Sequence, residues 1–262
     1  MNDQSDQNQQ AELSVERQIK RRTFISFGIF TAIGTGAFAG WKWLYNSPKE
    51  VTTVTGGARV PLRRALNQSE LFFRNFFSNK HLVKTYPKSM AATKVRINSM
   101  IGIEDEGFSV NTWALKVKNA DGSLLSVSLE QIKAMPKTEL IFDFKCVEGW
   151  DQIQHWAGVR LIDFLDHYKM EENAGNKYIG LETPNGEYYV GLDMESAVHP
   201  QTILAYEMND QPLTNEHGAP LRLIVPVKYG IKNLKRIGTL SFSNTRPRDY
   251  WAEQGYDYYS GL

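Results

Sequence analysis

Behind Lys20-Arg21-Arg22 lies a run with no charged side chain, Phe24 to Trp41, rich in Gly and Ala. About 20 apolar residues are needed to span a bilayer. The run reaches that limit if it continues through Trp43, Leu44 and Tyr45 while Lys42 snorkels to the interface. Such a segment has no place in a soluble core, so it divides the chain. The fold has to be built from the roughly 200 residues beyond Asn46, an ordinary size for one domain. The basic stretch, the apolar stretch and the small residues around Ala37-Phe38-Ala39 are together the parts of an export signal. Cleavage after Ala39 and retention as a membrane anchor are both compatible with them.

The pair Arg21-Arg22 followed by Phe24-Ile25 resembles a twin-arginine signal. That implies the twin-arginine translocation machinery as a partner and a periplasmic location, free or membrane-anchored. Residues 1–45 are therefore expected to be a disordered, Gln-rich tail plus the signal or anchor, 46–66 a linker, and 67–262 the folded domain. With 30 Lys+Arg against 29 Asp+Glu and a formal net charge of +1, the chain lacks the electrostatic footprint of a nucleic-acid binder, so no nucleic-acid partner is expected. A single cysteine, Cys146, excludes internal disulfides and Cys-rich zinc sites. In an exported protein a spare thiol is open to oxidation unless something holds it.

The pattern beyond residue 90 predicts short strands interleaved with short helices. Lys94–Ile103 alternates loosely as a strand, and Asn111–Val117 pairs with Leu124–Val127 across Asn119-Ala120-Asp121-Gly122. Ser128 with Gln131 reads as a capping box. Glu139–Cys146 is the most strand-like run and puts Cys146 at its C-terminal end. Residues 159–170 carry helical spacing, and further strands are expected at 178–182, 188–192, 203–208, 221–225 and 237–242. Strands outnumber helices and the hairpins are local, so the class is α+β with mixed β-sheets and short helices.

Generic catalytic templates are absent: no Gly-x-Ser-x-Gly elbow, no phosphate loop, no His-Glu-x-x-His. The histidines at 81, 155, 167, 199 and 217 show no metal-like spacing, and no orienting residue marks a Cys146–His155 or Cys146–His199 nucleophile pair.

The string Phe144-Lys145-Cys146-Val147-Glu148-Gly149-Trp150 resembles the molybdenum-ligating segment of the sulfite oxidase family, most closely its bacterial branch of methionine sulfoxide reductase catalytic subunits. Other segments match in order: Leu71-Phe72-Phe73-Arg74-Asn75, Glu182-Thr183, His199-Pro200, and the long stretch from His217-Gly218-Ala219-Pro220-Leu221-Arg222 to Asn233-Leu234-Lys235, then Trp251 and Tyr256. The resemblance covers about residues 66–258. It implies the sulfite-oxidase-type molybdopterin-binding fold and molybdopterin with molybdenum as the cofactor. A thiolate suits a soft metal site, and Cys146 is the implied metal ligand. Phe73, Arg74, Asn75, Thr183 and His217 are implied cofactor contacts. Arg222, Asn233, Leu234 and Lys235 are implied to hold the cofactor phosphate, although Lys228, Lys232, Lys235 and Arg236 also read as a solvated basic stretch. Tyr256 is implied on the substrate side, although the tyrosines of the tail also read as interface packing.

Two departures bear on substrate. Sulfite oxidases carry an arginine five residues after the ligand cysteine, where this chain has Asp151, and neither a haem domain nor a dimerisation domain is expected within 262 residues. The implied activity is oxygen-atom transfer with a small-molecule or protein-bound oxygen donor or acceptor, an S-oxide foremost, and electrons exchanged with a membrane haem or quinone-linked partner. Sulfite oxidation and a cofactor-free binding or assembly module on the same fold are the alternatives.

Overall fold

The computed structural model describes residues 3–50, 57–74, 81–104 and 107–261. The chain divides into two compact units, Met1–Lys49 with Arg59–Ala65, and Glu50–Ala58 with Leu66–Leu262. In the first, α1 (Asp3–Asn46) is one continuous helix. It takes in the Gln-rich stretch expected to be disordered, whose Gln, Glu, Ala and Leu are good helix formers. Arg17–Asn46 is long and apolar enough to cross a membrane, and its apolar side chains are exposed, Phe24 and Phe30 among them. The helix closes at Ser47, whose hydroxyl bonds the Trp43 carbonyl at 2.8 Å while its own carbonyl accepts from Arg59 at 2.7 Å. A second helix, α2 (Val60–Arg74), follows in the segment expected to be a linker.

The second unit is an α+β fold of two sheets. In the first, β1 (Leu115–Lys118) and β2 (Leu124–Val127) form the expected hairpin, with Gly122 at φ +87° supplying its left-handed residue. The Ser128–Gln131 capping box is present and opens α3 (Leu129–Lys133). β3 (Thr138–Lys145) pairs antiparallel with β4 (Asp151–Arg160), from Thr138 opposite Gly158 to Lys145 opposite Asp151. Next come α4 (Leu161–His167), α5 (Glu171–Ala174), β5 (Tyr178–Glu182), β6 (Tyr189–Asp193) and α6 (Met194–Ala197). β7 (Ile203–Met208), β8 (Gln211–Pro212), β9 (Arg222–Ile224), β10 (Thr239–Ser243) and α7 (Tyr250–Glu253) complete the chain. The sheet orders are β2-β1-β10-β5-β6, with β1 and β10 parallel, and β3-β4-β7-β8, with β9 also on β7.

The main core lies between the sheets, where Leu115, Val117, Leu181 and Leu240 meet Val159, Leu204, Tyr206 and Leu223, with Leu161 and Phe164 of α4 alongside. The opposite face of the second sheet buries Leu140, Phe142, Phe144, Trp156, Ile203 and Ala205. Burial on both faces explains the unbroken apolar run of β7. Each fully buried Leu, Ile or Phe contributes about 1.5–3 kcal/mol of transfer free energy.

Two expectations are corrected. Lys94–Ile103 is not a strand: Ser99 (φ +38°) and Gly102 (φ +72°) turn the backbone out of the extended region. Conversely, β4 went unread because Gln152, Gln154 and His155 hide its pattern. Pairing with β3 and β7 holds it in the sheet, and two of these polar groups bond along the strand, Gln154 donating to Gln152 at 3.2 Å and accepting from the Trp156 indole at 3.2 Å.

The register of β4 and β7 shifts at Ala157/Gly158, and a Cβ on Gly158 would stand 2.0 Å from the Leu204 carbonyl oxygen. Backbone cannot yield as a flexible side chain can, so Gly158→Ala is expected to destabilise the domain by about 3 kcal/mol or more. Chemical denaturation measures this, and a cost below about 1 kcal/mol contradicts the packing described.

Candidate active site

Cys146 is the first residue of the loop joining β3 to β4. Its N–H donates to the Trp150 carbonyl at 2.9 Å, its carbonyl accepts from Gly149 at 3.0 Å, and Gly149 sits at φ +85°. The side chain is buried, and burial raises the thiol above its usual range, with the Glu148 charge adding to the effect. Trp150 stacks on Phe144 (ring centroids 6.0 Å) and lies beneath the Arg96 guanidinium (4.8 Å).

A cavity open to solvent lies at Cys146. Its wall brings together the predicted Cys146, Asn233, Lys235 and Tyr256, with Tyr188, Trp251 and Glu148. Gly230 lets the 230–235 segment approach the Cys146 loop, since a Cβ there would stand 3.0 Å from Phe144. Tyr188 was not singled out in the sequence. Its hydroxyl donates to the Ile231 carbonyl at 2.7 Å and fixes that segment, and burial raises it far above the usual phenol range. A tyrosine in a Tyr-Tyr strand run gives no local signal of such a role.

Behind Asn233 stands Arg222, the first residue of β9 and 3% exposed. It donates to the carbonyls of His217 (3.1 Å) and Asn233 (3.2 Å) and lies over the Trp156 ring at 4.5 Å, while its Nε has no hydrogen-bond partner among the described residues. Burial lowers it to about 9. Lys235 donates to the carbonyls of Asn98 (2.6 Å), Ser99 (3.0 Å) and Glu216 (2.8 Å), and burial, then Arg222, lowers it to about 7. The carbonyls of the irregular 98–99 segment thus go to this ammonium rather than to a strand ladder. Among the described residues neither cation has a salt bridge. His217 is buried, with Nδ1 2.8 Å from the Thr214 hydroxyl and Nε2 without a partner; burial, then Arg222, lowers it.

The remaining predicted residues are placed differently. Leu234 is fully buried in the main core, so only its backbone faces its surroundings as a polar group. The Thr183 hydroxyl is committed to the β5–β6 turn, bonding Asn185 at 2.7 Å and Tyr188 N at 3.1 Å, and does not line the cavity. Phe73 and Arg74 end α2, and Asn75 lies outside the described residues. The solvated basic stretch is overturned: Lys228, Lys232, Lys235 and Arg236 are all buried. Lys228 pairs with Asp193 at 3.0 Å and Lys232 with Asp249. Burial alone would raise Asp193, but Lys228 and the Ser196 hydrogen bonds outweigh it and hold the carboxyl below its usual range.

The arrangement suits an anionic, metal-bearing group. A soft thiol stands at the cavity, and two buried cations have no salt bridge among the described residues, in a place where leaving them so is costly. The sequence pattern of the oxidoreductase molybdopterin-binding domain family matches residues 102–251.

The chain belongs to that family.

As a member of the oxidoreductase molybdopterin-binding domain family, it is a molybdenum-dependent oxidoreductase whose cofactor is molybdopterin carrying molybdenum. It is 33% identical over 187 residues to the YedZ1 subunit of Azospira oryzae, whose name assigns it to protein-methionine-sulfoxide reduction; the match takes in 71% of this chain and 70% of that protein. Catalytic subunits MsrP of protein-methionine-sulfoxide reductase from Campylobacter jejuni (31% over 176 residues) and Xanthomonas campestris (33% over 157 residues) are similar over 60% and 54% of this chain. The match spans 59% and 48% of those two proteins' lengths.

The charge state of Lys235 gives this family member a testable pH dependence. An unfolded lysine keeps its ordinary value of 10.5, whereas the folded one lies at about 7. Between the two the unfolded chain binds more protons, so the cofactor-free domain gains stability as pH rises. Its melting temperature is expected to be higher at about pH 8.5 than at pH 7, and Lys235→Met is expected to remove the difference. Cys146, raised by burial, acts in the opposite sense only near and above its ordinary 9.0. A flat profile for the parent protein contradicts the uncompensated ammonium.

Proposed function

We propose that this chain reduces S-oxides, methionine sulfoxide in proteins being the substrate class, with Cys146 as the protein ligand of molybdenum. The observation that carries the reading is the Cys146 thiol on one cavity wall with Lys235 and Asn233, backed by the uncompensated Arg222. The cofactor, when bound, supplies two-electron oxygen-atom exchange. Lys235 and the Arg222 fork neutralise its phosphate, a geometry suited to bidentate contact. The backbone of 233–235 would line the same anion, His217 Nε2 would bond the pterin, and Thr183 holds the β5–β6 turn that carries Tyr188. On the sequence resemblance alone, Phe73, Arg74 and Asn75 are further cofactor residues. Tyr256, 43% exposed at the mouth, donates a hydrogen bond to the substrate oxygen.

Neutral S-oxide is favoured over sulfite by charge. Glu148 lines the cavity, and Asp151, where sulfite oxidases carry arginine, lines a second pocket against Cys146 and stands 3.6 Å from Lys145. Two carboxylates beside the ligand thiol repel a dianion and leave an uncharged sulfoxide unaffected. The names of the relatives point the same way. Residues 67–262 form the catalytic domain, and the apolar helix serves as twin-arginine-type signal or anchor on the periplasmic side. Electrons come from a membrane haem or quinone-linked partner.

The test is an assay of the molybdenum-loaded protein with a reduced viologen dye. Dye oxidation by methionine sulfoxide in a peptide, with no sulfite-dependent reduction of an acceptor, is expected. Sulfite turnover without sulfoxide turnover contradicts the proposal.

A further inference from the structure

On the second sheet, away from Cys146, three side chains converge without a task in oxygen transfer. Glu139, the second residue of β3, pairs with Ala157, which puts it diagonal to His155 on one face of the β3–β4 ladder. His155 is 1% exposed, and among the described residues its Nε2 has no hydrogen-bond partner although it stands 3.9 Å from the Glu139 carboxylate. Asp210 comes from the turn between β7 and β8, which is seated over β4 by the Asn209 N–H bonding the His155 carbonyl at 3.1 Å. One ligand atom from each of the three lies within 4.8 Å of the others. Buried ring nitrogens are nearly always bonded, and this one faces two carboxylates.

The geometry points to a divalent-cation site of the Zn2+ type formed by Glu139, His155 and Asp210. One imidazole nitrogen with two carboxylate oxygens is a donor set for zinc rather than for magnesium or calcium, which prefer oxygen alone. Bonds of about 2.0–2.2 Å in a tetrahedron bring ligand atoms to roughly 3.4 Å of one another, so the exposed Glu139 and Asp210 move inward by about an ångström, with water in the fourth position. The two carboxylates balance the charge of the ion. In its absence Lys88 supplies a cation, with Nζ 2.5 Å from Asp210. Lys88 is half exposed and swings into solvent when the metal binds. The ion ties β3 and β4 to the β7–β8 turn. Glu139 lies seven positions from Cys146 along β3, about 20 Å at the rise of a strand, so the site is separate from the cofactor cavity.

Calorimetric titration of the full chain with zinc chloride, alongside melting curves, tests this. Zinc is expected to raise the melting temperature by several degrees. Glu139→Gln and Asp210→Asn, both at exposed positions where the fold tolerates the change, are expected to weaken binding by at least about tenfold. Lys88→Gln removes the competing ammonium and is expected to tighten it by about two- to fivefold. Zinc held by Cys146 would respond to none of the three. Absence of zinc binding, equal affinity in the two carboxylate variants and the parent, no tightening in Lys88→Gln, or an equal response to magnesium would each overturn the proposal.

Discussion

Cys146→Ser is expected to abolish turnover while leaving the fold intact. Loss of a residue that only orients a metal ligand costs 10- to 100-fold, so removing the ligand itself is expected to cost more than about 100-fold in kcat/KM. The hydroxyl replaces a thiol of similar size in a loop fixed by backbone bonds, Cys146 N to Trp150 O and Gly149 N to Cys146 O. The loss of stability is therefore expected to stay within about 1–2 kcal/mol. Steady-state kinetics beside a denaturation curve separates the two effects. A variant that keeps activity within tenfold contradicts the assignment, and one that fails to fold is distinguished by the denaturation curve.

Arg222→Met is expected to act on cofactor retention and hardly at all on the empty domain. Among the described residues the guanidinium makes two hydrogen bonds to carbonyls and no salt bridge, while its buried charge is disfavoured enough to lower it to about 9. Removing an unpaired buried charge relieves its desolvation, which offsets the two carbonyl hydrogen bonds lost with it, and Met keeps the contact with Trp156. With a phosphate present the balance reverses. Charge-assisted hydrogen bonds contribute about 1.5–3 kcal/mol each, so losing two is expected to weaken cofactor binding by roughly a hundredfold or more. The check is the ratio of pterin to protein after dialysis, with melting temperatures of the cofactor-free forms for comparison. Equal retention in variant and parent contradicts the role given to Arg222.

The parts of this molecule that were legible in the sequence are those whose determinants are local. The β1–β2 turn needs a left-handed residue and has Gly122, the Ser128–Gln131 cap is a four-residue motif, and the alternation of Leu140, Phe142 and Phe144 is visible without a partner strand. β4 was illegible because its membership of the sheet is decided by long-range pairing, with Phe142 opposite Gln154 and Trp156 opposite Met208. The strand expected at 94–103 failed for the same kind of reason: the carbonyls of Asn98 and Ser99 satisfy Lys235, a partner more than 130 residues away. At the site, Cys146, Asn233, Lys235 and Tyr256 were named from motif resemblance and meet on one cavity wall. Tyr188 was not, because burial and proximity, rather than residue type, bring it there. The basic run 228–236 shows how far composition misleads, since its cations are buried, Lys228 and Lys232 against carboxylates and Lys235 against backbone carbonyls.

The central claim is that the Cys146 thiolate completes the coordination of molybdenum. X-ray absorption at the molybdenum edge tests it most directly, on the parent and on Cys146→Ser, both from a host able to make the cofactor. The account predicts molybdenum in the parent with one more sulfur ligand than in the variant. A parent protein without molybdenum, or an identical sulfur count in the two, would contradict it.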